Sequence, residues 1–158
     1  MKNSRYSGFT LTELLVSLAI LGLLATMAAP VAKSALQRKK EGELKIALRE
    51  IRLGIDRYKE AVDQKQISVG NDGTGYPPNL SVLVNGVSDQ KNPGKVLYFL
   101  RKIPRDPFYT GTEQVAEKTW GLRSYASSSV KPQRGNDVYD IYSTSNLTGL
   151  NGVPYKDW

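Results

Sequence analysis

Few residues in this 158-residue chain could do covalent or acid–base chemistry. It has no Cys and no His. That removes thiol nucleophiles, disulfides, iron–sulfur sites, the serine–histidine triad, the usual zinc hydrolases and histidine acid–base catalysis. Asp137 and Asp140 are the nearest thing to a carboxylate pair, but three residues apart in a strand they would point to opposite faces. Gly70-Asn71-Asp72-Gly73-Thr74-Gly75 has the glycine content of a phosphate loop, lacks the Lys-Ser/Thr that follows one, and fits a plain turn. Glu13 stands out because of its setting. From Leu14 to Ala32 the chain runs 19 residues without a charge. A carboxylate at the centre of a membrane helix costs about 2.5–3.5 kcal/mol, and less near an end. In the first turn of a helix its charge suits the macrodipole. The functional alternative is a positive partner in apolar surroundings. If the chain is cut after Gly8, the new amino group of Phe9 is that partner, and in a stack of protomers Glu13 of one copy neutralises Phe9 of the next.

The element that must hold Glu13 is the apolar run itself. The whole chain has a formal charge of +7 and is 40% hydrophobic, but this average joins two compositions. From Phe9 to Ala32 a helix would be about 36 Å long, enough to cross a hydrocarbon core of about 30 Å. A cleaved secretory signal has a shorter apolar region and a small-x-small site, whereas helix-compatible sequence continues here past Ala32. Apolar residues recur at Leu44, Leu48, Ile51, Ile55, Tyr58 and Val62, one stripe on a helix that packs on the chain's own sheet. Charged residues fill the other faces, with Glu41 placed there four residues from Lys45. Gly42 and Gly54 each lower helix propensity by about 1 kcal/mol. A single helix from Phe9 to about Asp63 would be about 80 Å long. Its apolar half is therefore expected to project from the folded part. Pro30 and Gly22 are the weak points of that half.

Residues Ile67 to Trp158 are rich in Gly and Pro and read as loops and short strands. Leu80–Val84 and Val96–Arg101 are short apolar pieces. Gly121–Tyr125 and Val138–Tyr142 are expected to form a hairpin across the Lys131–Asn136 loop. The fold class is α+β, with a long N-terminal helix on a small antiparallel β-sheet. The organisation is 1–8, a basic leader; 9–32, an apolar transmembrane or assembly helix; and 33–158, a globular head.

Lys2, Arg5, then Gly8-Phe9-Thr10-Leu11-Thr12-Glu13, then an apolar run containing Pro30, resembles the class III signal of type IV pilins and type II secretion pseudopilins. The later segments Tyr76-Pro77, Ile103-Pro104-Arg105-Asp106-Pro107-Phe108, Tyr139-Asp140-Ile141-Tyr142-Ser143 and Trp158 resemble the major pseudopilin. The resemblance is thin over 85–95 and 110–118. It implies a pilin-like fold, cleavage between Gly8 and Phe9 by a prepilin peptidase, N-methylation of Phe9, and an assembly role for Glu13, with Gly22 and Pro30 in the assembly helix. It implies a single-pass inner-membrane protein with a periplasmic head, although the basic residues Lys33, Arg38, Lys39 and Lys40 would by count alone favour the cytoplasmic side for that head.

The function implied is a non-enzymatic subunit of a periplasmic pseudopilus that drives protein export across the outer membrane. A type IV pilus subunit for adhesion, motility or DNA uptake is the alternative. The implied partners are further copies of the chain, minor pseudopilins, an inner-membrane platform with its cytoplasmic ATPase, the peptidase, and the membrane before assembly. No nucleic-acid partner is expected, since the basic residues are scattered and lack stacking aromatics. The family's last loop usually carries Asp residues that bind calcium. Here Thr144–Gly152 has no carboxylate before Asp157. Ser143, Asn146, Asn151 and Asp157 would make only a weak site. No cofactor is expected, and amide and hydroxyl hydrogen bonds are expected to hold the loop.

Overall fold

The computed structural model describes residues 8–70 and 73–158, with the side chains of 27–29 excepted. The leader residues Lys2 and Arg5, and Asn71 and Asp72 of the glycine-rich turn, lie outside the described residues. One helix, α1, spans Leu11–Asp63. The chain divides into two compact units, Met1–Lys39 and Lys40–Trp158.

In the first unit α1 begins at a side-chain cap. Thr10 Oγ1 accepts the Glu13 N–H at 3.2 Å, and the Leu14 N–H donates to the Thr10 carbonyl at 3.1 Å. Glu13 therefore sits in the first turn, where its charge opposes the positive end of the helix dipole. Every described side chain from Leu11 to Leu36 is exposed. By length and composition this part of α1 is long and apolar enough to cross a membrane. Helical structure continues through Pro30, which has no N–H to give the preceding turn. Near it the Thr26 hydroxyl donates to the Leu23 carbonyl at 2.7 Å.

In the second unit α1 becomes one-sided. Leu44, Leu48, Ile51, Ile55, Tyr58 and Val62 are all buried, as the 4, 3, 4, 3, 4 spacing requires. They pack with Leu80, Leu83, Phe99, Leu100, Phe108, Trp120, Leu122, Val138, Ile141 and Tyr155. Full burial of each such aliphatic side chain is worth about 1.5–3 kcal/mol. Gly54 is more than a propensity cost, because a Cβ there would stand 2.8 Å from Leu100 Cγ. Its absence lets the helix approach that side chain. The helix ends in a Schellman turn. Lys65 N bonds to Val62 O and Gln66 N to Ala61 O, both at 2.8 Å, with Lys65 at φ +56°.

The sheet component is two separate ladders. Strands β1 (Val87–Ser88) and β2 (Val96–Leu97) pair antiparallel, with Val87 opposite Leu97. Strands β3 (Trp120–Arg123) and β4 (Asp140–Ser143) pair antiparallel, with Trp120 opposite Ser143 and Arg123 opposite Asp140. The expected hairpin forms, but it is shorter at its loop end and gains the Trp120–Ser143 pair at the other. Ser124, Tyr125, Val138 and Tyr139 fall outside the strands because Asp137 draws the Ser124 hydroxyl and the Tyr125 N–H to itself, while Val138 N bonds to Pro77 O. The apolar piece at 80–84 is mostly a short helix, α2 (Ser81–Asn85), whose Leu83 is buried.

Candidate functional site

Two regions of the chain have residues arranged for a task. The first is the start of α1. Gly8 and Phe9 precede the helix and are exposed, Phe9 at 82%. Glu13, one turn in, is exposed and makes no ion pair among the described residues. Gly22 and Pro30 lie further along the same exposed run, and a Cβ at Gly22 would meet nothing. What the sequence reading missed here is the cap. Thr10-Leu11-Thr12-Glu13 has the Thr-x-x-Glu spacing of a capping box, visible without a structure, and the bond observed is the one from the Glu13 N–H to the Thr10 hydroxyl oxygen.

The second region is the last loop and the groups that hold it to α1. Glu41 belongs to the buried face, so its placement among the solvent-facing charges is corrected. One of its carboxylate oxygens accepts the Leu150 N–H at 2.8 Å and the Tyr155 hydroxyl at 2.8 Å. Tyr155 is fully buried, stacked on Phe108 at 4.0 Å between ring centroids. Hydroxyl and amide bonds do hold part of the loop. Ser143 Oγ accepts the Ser145 N–H at 3.2 Å, Asn151 Oδ1 accepts the Val153 N–H at 3.1 Å, and Thr148 bridges to Pro154. The tie to the helix is to a carboxylate, which adds Glu41 to the expected amide and hydroxyl bonds. Asn146 and Asp157 are exposed, and Ser143 is buried with its hydroxyl donating to Asp106 Oδ2 at 2.7 Å.

Asp106 explains the Pro104–Phe108 turn. It is 1% exposed and accepts both the Ser143 hydroxyl and the Phe108 N–H, the latter at 2.8 Å. Its own N–H donates to Thr119 Oγ1 at 3.1 Å. The turn is thereby bolted to β3 and β4, with the Trp120 indole N–H on the Pro104 carbonyl at 2.8 Å. Arg52 makes a second tie across α1. Its guanidinium donates to Asp140 Oδ1 at 2.8 Å, the Ile141 carbonyl at 3.2 Å and Trp158 O at 2.9 Å, while Arg123 takes the other Asp140 oxygen at 3.1 Å.

The two Asp residues weighed as an acid–base pair thus have unrelated work. Asp137 precedes β4, so the strand-alternation argument does not apply to it. It caps the Ser124–Tyr125 turn, whereas Asp140 sits between two arginines. Two ionisable groups away from these sites are shifted. Hydrogen bonding from the Asn92 amide, with help from the Lys91 and Asn92 N–H groups, holds Asp89 below the ordinary carboxylate value. Burial beside Tyr139 raises Tyr76 above the ordinary phenol value. Among the described residues no three Asp or Glu side chains converge as metal ligands.

Residues 3–29 match the family described as the prokaryotic N-terminal methylation motif. That match takes in Arg5, Gly8, Phe9, Glu13 and most of the apolar run. It supports a type IV pilin-like subunit that is processed by a prepilin peptidase and self-polymerises, a structural part rather than an enzyme. The class III signal and the apolar start of α1 fit a membrane-anchored protein of that kind. Neither the curated proteins nor the solved structures gave a significant match.

Proposed function

We propose that the chain is the major subunit of a type II secretion pseudopilus. In this reading the leader is removed between Gly8 and Phe9, Phe9 is N-methylated, and the apolar part of α1 anchors the subunit in the inner membrane. The helices then pack side by side in a periplasmic filament whose growth pushes exported protein through the outer membrane. The observation that carries the reading is Gly8-Phe9 followed at Glu13 by a single carboxylate leading an uncharged helical run that is exposed at every described position. In water such a run would expose a continuous apolar surface far beyond what a lone soluble subunit carries. Lipid covers it before assembly, and copies of the same helix cover it afterwards. A carboxylate held in apolar surroundings away from water is costly, and pairing Glu13 with the amino group of a neighbouring Phe9 supplies a countercharge. Minor pseudopilins, a membrane platform and its ATPase would complete the machine.

Two measurements test this. Mass spectrometry of the mature protein should show a chain beginning at Phe9 and heavier by one methyl group, and an intact leader would overturn the processing. Deletion of the gene should leave exported proteins in the periplasm. Loss of surface filaments, motility or DNA uptake with export intact would instead favour a type IV pilus subunit.

We also propose that the last loop works without calcium. The chemistry of the donors supports this. Calcium needs about 6–8 oxygen ligands, yet here a loop N–H and a hydroxyl point at the Glu41 carboxylate, and Ser143 and Asn151 spend their oxygens inside the loop. Thermal melting of the full chain should be unchanged by millimolar calcium or by a chelator, and a shift on chelation would sink the proposal.

A further inference from the structure

The basic residues that follow the apolar run do not all serve the head. From Leu14 to Lys40 every charge is positive, at Lys33, Arg38, Lys39 and Lys40. Lys40 reaches the Phe108 ring, 5.8 Å from its centroid. Lys33 and Arg38 are exposed, and neither makes an ion pair among the described residues. Two unpaired cations at the end of an apolar helix call for an anion at that level.

The helix offers a place for one. An open groove of about 410 Å³ is lined by Pro30, Val31, Ser34, Ala35 and Arg38. Pro30, Ser34 and Arg38 follow one another at i,i+4 spacing and so share one line of α1. The chemistry changes along that line. Pro30 and Val31 are apolar, Ser34 brings a hydroxyl, and Arg38 brings a guanidinium. A phospholipid has the same order, acyl chain first and phosphate after. A guanidinium takes two phosphate oxygens at once, and a serine hydroxyl can donate a further bond.

Depth agrees with this. Along a straight helix Lys33 lies about 33 Å from Leu11, and Arg38 about 40 Å. A bilayer is about 40–45 Å thick with its headgroups, around a hydrocarbon core of about 30 Å. With Leu11 in one headgroup layer, Lys33 and Arg38 fall in the other. A lipid with a net negative charge suits the site better than a zwitterionic one. No carboxylate lies between Leu14 and Lys40 to receive a choline or ethanolamine cation.

We propose that the Ser34–Arg38 turn of α1 binds the phosphate of an anionic phospholipid in the headgroup layer nearest the head. Pro30 and Val31 lie against its acyl chain, and Lys33 adds charge at the same level. The inference rests on the membrane-anchored reading, and adds to it the class of lipid and the residues that select it.

The test uses the full-length chain in neutral detergent micelles, titrated with phosphatidylglycerol or with phosphatidylcholine, with bound lipid counted by native mass spectrometry. A basic residue near an anionic surface is worth about fivefold in affinity, so two should favour phosphatidylglycerol by about 25-fold. Arg38→Gln should lose about fivefold of this, and Lys33→Gln/Arg38→Gln the whole preference, with phosphatidylcholine binding unchanged. Lys102→Gln, the same change at an exposed residue of the head, should alter nothing. Equal affinity of the unsubstituted chain for the two lipids would overturn the proposal, as would a preference that survives in the double variant. Millimolar inorganic phosphate should leave the lipid in place, and its release would assign the site to a free phosphate instead. Lower filament yield from Arg38→Gln with the lipid preference intact would assign Arg38 to contact between copies. If the unsubstituted chain inserts into neither micelles nor vesicles, the membrane-anchored reading fails, and the proposal with it.

Discussion

The two parts of α1 use one backbone for opposite purposes. From Leu11 to Leu36 none of the described side chains is buried. From Lys40 to Asp63 a buried side chain recurs every three or four residues. Among its described residues the first part buries no side chain, and its mostly apolar composition suits lipid or other copies of the helix. The second is apolar on one stripe, and that stripe organises the head. A substitution in the first part should therefore act on anchoring and assembly while leaving the head intact, and one in the second should act on the head's stability first.

The sharpest way to break this comparison is a matched pair of truncations. Ile51→Ala should destabilise the head by about 2–5 kcal/mol, the cost of an aliphatic deletion in a packed core. Leu18→Ala should leave head melting unchanged, measured by thermal denaturation of the full chain in detergent. Equal effects would contradict the division. A smaller effect is expected at Glu41. Glu41→Ala strands the Leu150 N–H and the Tyr155 hydroxyl, at about 1–3 kcal/mol for a buried orphaned group. Glu41→Gln keeps an acceptor oxygen and should cost less. Hydrogen exchange at Leu150 would locate the change in the last loop. Gly54→Ala should cost about 1–3 kcal/mol through overpacking against Leu100, whereas Gly22→Ala, where a Cβ meets nothing, should cost the head nothing.

The smallest effect is pH-dependent. Asp89 lies in the turn between β1 and β2, with Oδ2 accepting from the Asn92 amide at 2.7 Å and Oδ1 from the Lys91 N–H at 2.8 Å. Because its folded pKa is lowered, its contribution is present above the unfolded carboxylate value of about 3.9 and is lost as pH falls through the folded value. Acid titration followed by exchange at Lys91 should show local opening below pH ~4, and Asp89→Asn should remove that pH dependence.

Periodic and local features were legible in the sequence. The buried stripe, the long helix and the pairing of β3 with β4 all follow from patterns local to each segment. The features that lock the head were not, because they join residues far apart in the chain. Glu41 reads as one more surface charge until Tyr155 and Leu150 are seen on it, 114 and 109 positions away. Arg52 has no partner in its own helix and finds three acceptors around 140–158. Asp106 looked like part of a turn motif, and its buried pairing with Ser143 could not be read from either segment alone. Thr10 is the exception, a local signal that could have been found at the outset.

Glu13 is the residue on which assembly is proposed to depend. Filament yield of the Glu13→Ala variant, measured by sedimentation and electron microscopy beside the unsubstituted chain, separates assembly from folding. Loss of filaments with an unchanged melting temperature for the head is the predicted result. Normal filament yield from Glu13→Ala would contradict the central claim, that the charge at the start of α1 pairs one copy with the next.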